Sequence, residues 1–226
     1  MTRTDILNAI IHKCGYTQYL EIGVQHGVNF QAIKCQYKVG VDPVPQYEVD
    51  SIQEGQTFKL TSDEFFKRAI GISDRFDLIF IDGLHHADQV LRDFNNAQKV
   101  LSPNGTIVLH DCHPPNEPCQ RVPRETQEWC GDVWKAWVEI RKQNFKPGFV
   151  QNAMFCIDTD YGVGVYTQHT EVEIGKQALA TEKEAFVSNF VRQLDFEELD
   201  YETLDFHRIE LLNLISVEDW NQIINN

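Results

Sequence analysis

The sequence predicts an α/β fold, a doubly wound and mostly parallel sheet that ends in an antiparallel hairpin and a helical tail. Two observations carry this. Short apolar segments alternate with stretches of helical spacing, as expected of parallel strands covered on both faces. Each of the first five segments also ends in a polar or acidic residue, whereas the last two flank a tight turn. At 226 residues the chain is long enough for one domain with a substantial core.

In order, a helix is expected over 3–14, then a strand in "QYLEIGV" (18–24) and a helix over 27–35. Strands follow in "YKVGVD" (37–42) and "FKLTS" (58–62), with a helix over 62–70. "FDLIFIDG" (76–83) is the fourth strand, and the helix after it runs over 85–101 to the proline and glycine of "SPNG". "GTIVLHD" (105–111) is the fifth strand and 124–143 a longer helix, which Cys130, Gly131 and Asp132 break, the alternative being that they mark its true start. "FVQNAMFCIDTDYGVGVYTQ" reads as two strands around an Asp-Tyr-Gly turn. From residue 176 the chain becomes acidic and helical while keeping Phe, Leu, Ile and Trp at helical intervals. The expected organisation is therefore a domain over 1–175 and an extension over 176–226 packed on it, through which a homo-oligomer contact is also open.

With 34 acidic against 20 basic side chains, the formal net charge of -14 disfavours nucleic acid and anionic membrane surfaces as partners. No apolar run reaches the roughly 20 residues of a spanning helix, and the first residues lack the apolar segment of a signal peptide, so a cytoplasmic protein is expected. Six cysteines without a C-x-x-C pair are expected to be reduced thiols.

In an open parallel sheet, ligands sit beyond the carboxyl ends of the strands, where the strand order reverses. The residues there are Glu21, Gly23 and Gly27 after the first strand and Asp42 after the second. Ser62 and Asp63 follow the third, Asp82 the fourth, and His110 and Asp111 the fifth. A sheet built for stability alone has no need of them, since each costs desolvation free energy unless paired. Glycines let backbone approach a ligand closely, and an acid closing the second strand suits ribose hydroxyls. "GVQHG" does not match the dinucleotide fingerprint, and a glycine turn serving only strand-to-helix packing is the plain alternative.

"YLEIGVQHGVNF", "VGVDPVP", "FDLIFIDGLHHADQVLRDF" and "LSPNGTIVLHDCHPP" together resemble the successive motifs of class I S-adenosylmethionine-dependent methyltransferases, over about residues 16–167. They are most similar to the small O-methyltransferase-like branch, with Asp-Gly-x-His after the fourth strand and His-Asp after the fifth. The resemblance implies a Rossmann-like methyltransferase fold and S-adenosylmethionine as cofactor. Glu21, Gly23 and Gly27 would hold its methionine end, Asp42 its ribose, and Ser62 with Asp63 the neighbourhood of its adenine. Asp82 would lie beside the reactive methyl group. The acceptor would be a small hydroxyl-bearing molecule, a sugar or a secondary metabolite.

Asp82 and Asp111 on neighbouring strand ends, with His85 starting the next helix, suit a hard divalent cation. Metal-dependent relatives place magnesium between such acids, although they often carry an acid or amide where this chain has His110. Asp82 and Asp111 are thus the candidate metal ligands, and His85, His113 and Asp111 the candidate catalytic residues. General-base catalysis by histidine stays open beside the metal. Trp129, Trp134 and Trp137, at helical spacing, are expected in the core rather than as a substrate platform. Two competitors remain: a metal-dependent hydrolase using Asp82, His85, His110, Asp111 and His113, and a non-catalytic cofactor-binding subunit.

Overall fold

The computed structural model describes residues 1–47, 55–69, 75–144, 153–168 and 193–225. The helix α1 (Arg3–Cys14) begins at a capping box between Thr2 and Asp5 and ends on Gly15, whose φ of 65° is left-handed. There follow β1 (Gln18–Ile22), α2 (Val28–Ala32), β2 (Tyr37–Val41), β3 (Gly55–Phe58) and α3 (Ser62–Ala69). Next come β4 (Phe76–Ile81), α4 (Ala87–Val100), β5 (Leu101–Leu109), α5 (Glu117–Gln120) and α6 (Val133–Asn144). The hairpin strands β6 (Ala153–Ile157) and β7 (Val163–Thr167) precede α7 (Tyr201–Leu212), β8 (Leu214–Ile215) and α8 (Val217–Asn225).

The strands form one sheet in the order β3-β2-β1-β4-β5-β7-β6-β8. β3, β2, β1, β4 and β5 run parallel, and β7 pairs antiparallel with both β5 and β6. From β1 the chain winds outward through β2 and β3, then returns to place β4 on the other side, so the order reverses between β1 and β4. Alternate side chains feed two cores. Leu20, Ile22, Ile79 and Ile81 face α3, α4 and α6, while Tyr19, Leu78 and Phe80 face α1, α2 and α8.

Three expectations need correction. The strand expected over 58–62 lies earlier, at Gly55–Phe58, because Thr61 and Glu64 form a reciprocal cap that commits Ser62 to α3. The helix expected over 124–143 begins only at Val133, after the break that the sequence offers at 130–132 as its true start. The amides of Cys130 and Gly131 bond back to the carbonyl of Cys119, and Gly131 has a φ of 60° that no right-handed helix allows. The tail is not purely helical, since Leu214–Ile215 adds an edge strand beside β6. The boundary placed at residue 176 lies outside the described residues.

The described tail, residues 193–225, is bound to the sheet and its helices. Trp137 donates through Nε1 to the carbonyl of Leu212 at 2.9 Å, and Arg141 reaches the carbonyls of Glu210 and Leu211. Trp220 of α8 is 1% exposed and packs against Phe155. Among the described residues no helix is long and apolar enough to cross a membrane. Trp220→Ala is expected to cost about 3–5 kcal/mol of stability, read as a lowered urea midpoint with an unchanged far-ultraviolet circular dichroism spectrum.

Candidate active site

A cavity of about 870 Å³ opens at the carboxyl ends of β1, β2 and β4. Its floor depends on Gly23, whose amide donates to the carbonyl of Val41 at 2.8 Å. Gly23 has a φ of 88°, and a Cβ there would fall 2.0 Å from the carbonyl oxygen of Asp82. Only glycine fits this position.

Asp42 fixes the loop that follows. Its carboxylate accepts from the amides of Val24 at 3.1 Å and Gln25 at 2.8 Å through Oδ2, and from Val44 at 2.8 Å through Oδ1. Glu21 lies deeper, 1% exposed, accepting from the Tyr19 hydroxyl at 2.7 Å and from Asn29 Nδ2 at 3.0 Å. Burial pushes the Glu21 carboxyl up to about 8, despite those two hydrogen bonds.

The far side of β1 carries an acid-and-imidazole cluster. Asp82 Oδ1 lies 3.4 Å from both His85 Nε2 and His110 Nδ1. Asp111 Oδ2 lies 3.3 Å from His85 Nδ1 and 3.1 Å from His110 Nδ1. Asp82, His85 and Asp111 each offer one ligand atom, all within 4.8 Å of one another, which is a donor set able to hold a divalent cation. His85 Nδ1 is 3.0 Å from the carbonyl of Trp129, which can only accept, so its proton sits on Nδ1 and Nε2 is left to act as ligand or base.

Arg3 closes this end from above. Its amide donates to Asp160 Oδ2 at 2.7 Å, its Nη1 lies 3.2 Å from both Asp160 oxygens and from His110 Nε2, and its Nε is 3.6 Å from Asp82 Oδ2. Burial would raise the pKa of Asp82, but His110 and His85 hold it far below the usual carboxylate range. Burial would likewise lower His85, yet the bond to Asp82 and the charge of Asp111 raise it. The Arg3 contact takes a neutral Nε2 on His110, while Asp82, Asp111 and Asp160 draw a proton onto the same ring. Three carboxylates outweigh one guanidinium, and His110 titrates well above its ordinary value although it is buried.

The opposite end of the cavity is lined by Ser62, Gln89 and Asp93. Gln89 Nε2 lies 3.1 Å from Ser62 Oγ and 3.0 Å from Asp93 Oδ1. Asp93 is 1% exposed, and burial pushes its carboxyl up to about 6, against hydrogen bonds from Ser62 and Gln89.

Of the residues singled out in the sequence, Glu21, Gly23, Asp42, Ser62, Asp82, His85 and Asp111 line this one cavity. Gly27 lies beside it and starts α2 with a φ of 75°. Asp63 turns outward to solvent and pairs with Arg92 at 3.7 Å. His113 is not in the cavity wall. Asp111 has a φ of 60°, which swings the chain back so that Cys112 and His113 bond to the hairpin turn at Gly162 and Tyr161. Both His113 nitrogens are engaged there, Nδ1 with Asp158 at 3.0 Å and Nε2 with Arg208 at 2.7 Å, and burial lowers its pKa.

Trp134 and Trp137 are core residues, as expected, but Trp129 stacks on His85 with ring centroids 5.3 Å apart. Sequence reasoning missed Arg3, Asp160 and Asp93. Only Asp93 left a signal, as a carboxylate within the apolar stripe of α4 formed by Val90, Phe94 and Ala97.

Residues 20–112 match the methyltransferase-domain family described as Methyltransf_24. No curated protein matches the chain. The structure is similar to an O-methyltransferase from Bacillus cereus solved in complex with SAH, at 13% identity and a TM-score of 0.56, covering 74% of this chain and 80% of that one. It is also similar to a putative caffeoyl-CoA O-methyltransferase from Staphylococcus aureus, at 14% identity and a TM-score of 0.55, covering 73% and 82% of the two chains. For the O-methyltransferase TomG from Streptomyces achromogenes, solved with SAM, the values are 13%, 0.52, 74% and 79%. Residues 20–112 are thus similar to a methyltransferase domain, and the fold is the Rossmann-like one that these O-methyltransferases share.

The raised pKa of Asp93 fixes the sign of a pH effect. The folded chain holds the Asp93 proton more tightly than the unfolded chain, whose value is the ordinary 3.8, so stability is lost as pH rises from 3.8 to about 6. Asp93→Asn escapes that loss. It is expected to melt above the wild type at pH 8, by up to about 3 kcal/mol in stability, and to lose the advantage below about pH 4 in paired thermal melts.

Proposed function

We propose that this chain transfers the methyl group of S-adenosylmethionine to the hydroxyl oxygen of a small acceptor, a sugar or a secondary metabolite. The observation that carries this reading is the meeting of Asp82, His85 and Asp111 at one end of the cavity whose floor is Gly23. A hydroxyl is a poor nucleophile unless its proton is removed or its pKa lowered, and carboxylates with an imidazole supply the means.

Glu21, buried and hydrogen-bonded at the end of β1, is placed to receive the ammonium of the cofactor's methionine. Asp42 orders the loop after β1 through Val24 and Gln25 and presents the same carboxylate to the ribose. The acidic wall favours the positive sulfonium, so charge attraction falls once the methyl group has gone and the neutral thioether remains.

Asp82, Asp111 and Nε2 of His85 would hold a divalent cation, which when bound supplies Lewis acidity to an acceptor hydroxyl. The chain's own part is to set the ligand geometry, with Trp129 fixing the His85 tautomer and Asp132 accepting from the amide of Ala87 at 2.7 Å to cap α4 behind it. A second reading has support in Arg3 and His110, which already set positive groups against the same acids. In it, His85 Nε2 takes the hydroxyl proton as the carbon–oxygen bond forms and the carbon–sulfur bond breaks, its electron pair returning to sulfur.

Two measurements test these statements. Asp42→Ala is expected to weaken S-adenosylhomocysteine binding at least about tenfold in calorimetry, and unchanged affinity would remove the cofactor assignment. Magnesium or manganese is expected to raise the melting temperature of the wild type by about 5 °C at saturation and to do little for Asp82→Asn or Asp111→Asn. Equal shifts in all three, or none in the wild type, would leave His85 as a base acting without a metal.

A further inference from the structure

Arg3 is the one arginine or lysine among the described residues that line the cavity, whose wall is otherwise rich in acids. Its guanidinium is engaged on one side. Nη1 lies 3.2 Å from both oxygens of Asp160 and from His110 Nε2. Nε is buried without a hydrogen-bond partner among the described residues, 3.6 Å from Asp82 Oδ2, and Nη2 makes no hydrogen bond among them either. An unmet buried N–H costs free energy comparable to a lost hydrogen bond. Nε and Nη2 share one planar edge, a geometry that matches the two oxygens of a carboxylate. The side chain is 33% exposed, so the guanidinium is within reach of a molecule in the cavity.

Asp82 sets the distance from this edge to the reactive imidazole. Its Oδ1 lies 3.4 Å from His85 Nε2, and its Oδ2 faces Arg3. Both oxygens belong to one carboxylate, so a hydroxyl at His85 and an anion at Arg3 fit on a single small molecule, joined by a short carbon chain or one sugar ring. The net charge of -14 repels anions at long range, and an anionic acceptor therefore needs a fixed cation where it docks. A single negative charge suits the place better than the two of a phosphate, because Asp82 and Asp160 lie against the same guanidinium.

We propose that the free edge of Arg3 binds a carboxylate of the acceptor, which makes that acceptor a small hydroxy acid, sugar acids included. The proposal rests on the methyl-transfer reading above and deepens it by naming the substrate class. A neutral analogue would leave the edge of Arg3 unmet, and an unpaired buried donor is the kind of mismatch that rejects a competitor. The plain alternative is that Arg3 only neutralises Asp82 and Asp160 and docks α1 on the hairpin turn.

Calorimetry on the full chain loaded with S-adenosylhomocysteine separates the two, with glycolate, lactate, glycerate and glucuronate as probes, each beside its neutral amide. The wild type is expected to bind at least one of these acids, and to bind it at least about tenfold more tightly than the amide. Arg3→Gln removes the charge, so acid and amide should then agree to within about threefold while the affinity for S-adenosylhomocysteine is unchanged. Arg3→Lys keeps the charge without the planar fork and should lose part of the preference, and it carries the comparison if the glutamine variant does not fold. A wild type that binds none of the four acids, or binds acid and amide alike, overturns the proposal and leaves the neutralising role. A substituted chain that keeps the full preference does the same. Loss of S-adenosylhomocysteine affinity in Arg3→Gln would assign Arg3 to the cofactor's own carboxylate, which also overturns it. Failure of the wild type to bind S-adenosylhomocysteine is a different result, which overturns the cofactor reading itself.

Discussion

The structure depends on the contact between two strand ends at the point where the sheet reverses. Gly23 packs its Cα against the carbonyl of Asp82, so that β1 and β4 meet without a side chain between them. The Asp82 amide donates to Ile22 at 2.8 Å and the Gly23 amide to Val41 at 2.8 Å, which locks three neighbouring strand ends in one register. Widening this junction by the volume of one methyl group would separate the loop after β1 on one side from Asp82 on the other. The cavity exists because the chain spreads in opposite directions from this junction.

Around that junction the fold gathers charge that it can tolerate only collectively. Asp82, Asp111 and Asp160 each cost free energy to bury, and none is matched by a single dedicated partner. Two imidazoles and one guanidinium are shared among them: His85 and His110 each lie between Asp82 and Asp111, and Arg3 lies between Asp82 and Asp160. Removing one member leaves an uncompensated charge in a poorly solvated place, so effects of substitution within the cluster will not add. Sharing also keeps His85 held from several sides, with Trp129 stacked on its ring and the Trp129 carbonyl on Nδ1.

How much of this could be read from the sequence follows from the range of the interactions. The strand ends were legible because an apolar segment stopping at Glu21, Asp42, Asp82 or Asp111 is a local pattern, and β1, β2, β4 and β5 appear close to where that pattern placed them. Ser62 was legible as a position but not as a helix start, since the cap from Thr61 to Glu64 competes with strand propensity over the same residues. Trp129 kept the spacing of a helical core residue with Trp134, and that spacing misled although the break at Cys130, Gly131 and Asp132 between them was itself legible. A Cβ on Gly131 would meet the His85 carbonyl at 1.8 Å, a requirement imposed by a residue far away in the chain. Arg3 meets Asp160 across 157 positions, and no periodicity carries information over that distance.

The same range has a consequence for how the site is assembled. Glu21, Gly23, Asp42 and Asp82 belong to the parallel half of the sheet, whose strands pair over modest separations. The site is completed by Asp160 in the hairpin turn and by Arg3 on the first helix, and the Thr159 hydroxyl donates to the Met1 carbonyl at 2.7 Å beside them. Long-range contacts of this kind bear the largest loop-closure entropy and are rewarded only when both partners are already ordered. The docking of α1 on the hairpin is therefore the step that seats Arg3 against Asp82, at 3.6 Å. Loosening that docking would leave the loop after β1 and the sheet intact while the charge balance around Asp82 was lost. In this fold the loop after β1 and the charged cluster rest on different contacts, local ones around Gly23 and Asp42, and distant ones through Arg3 and Asp160.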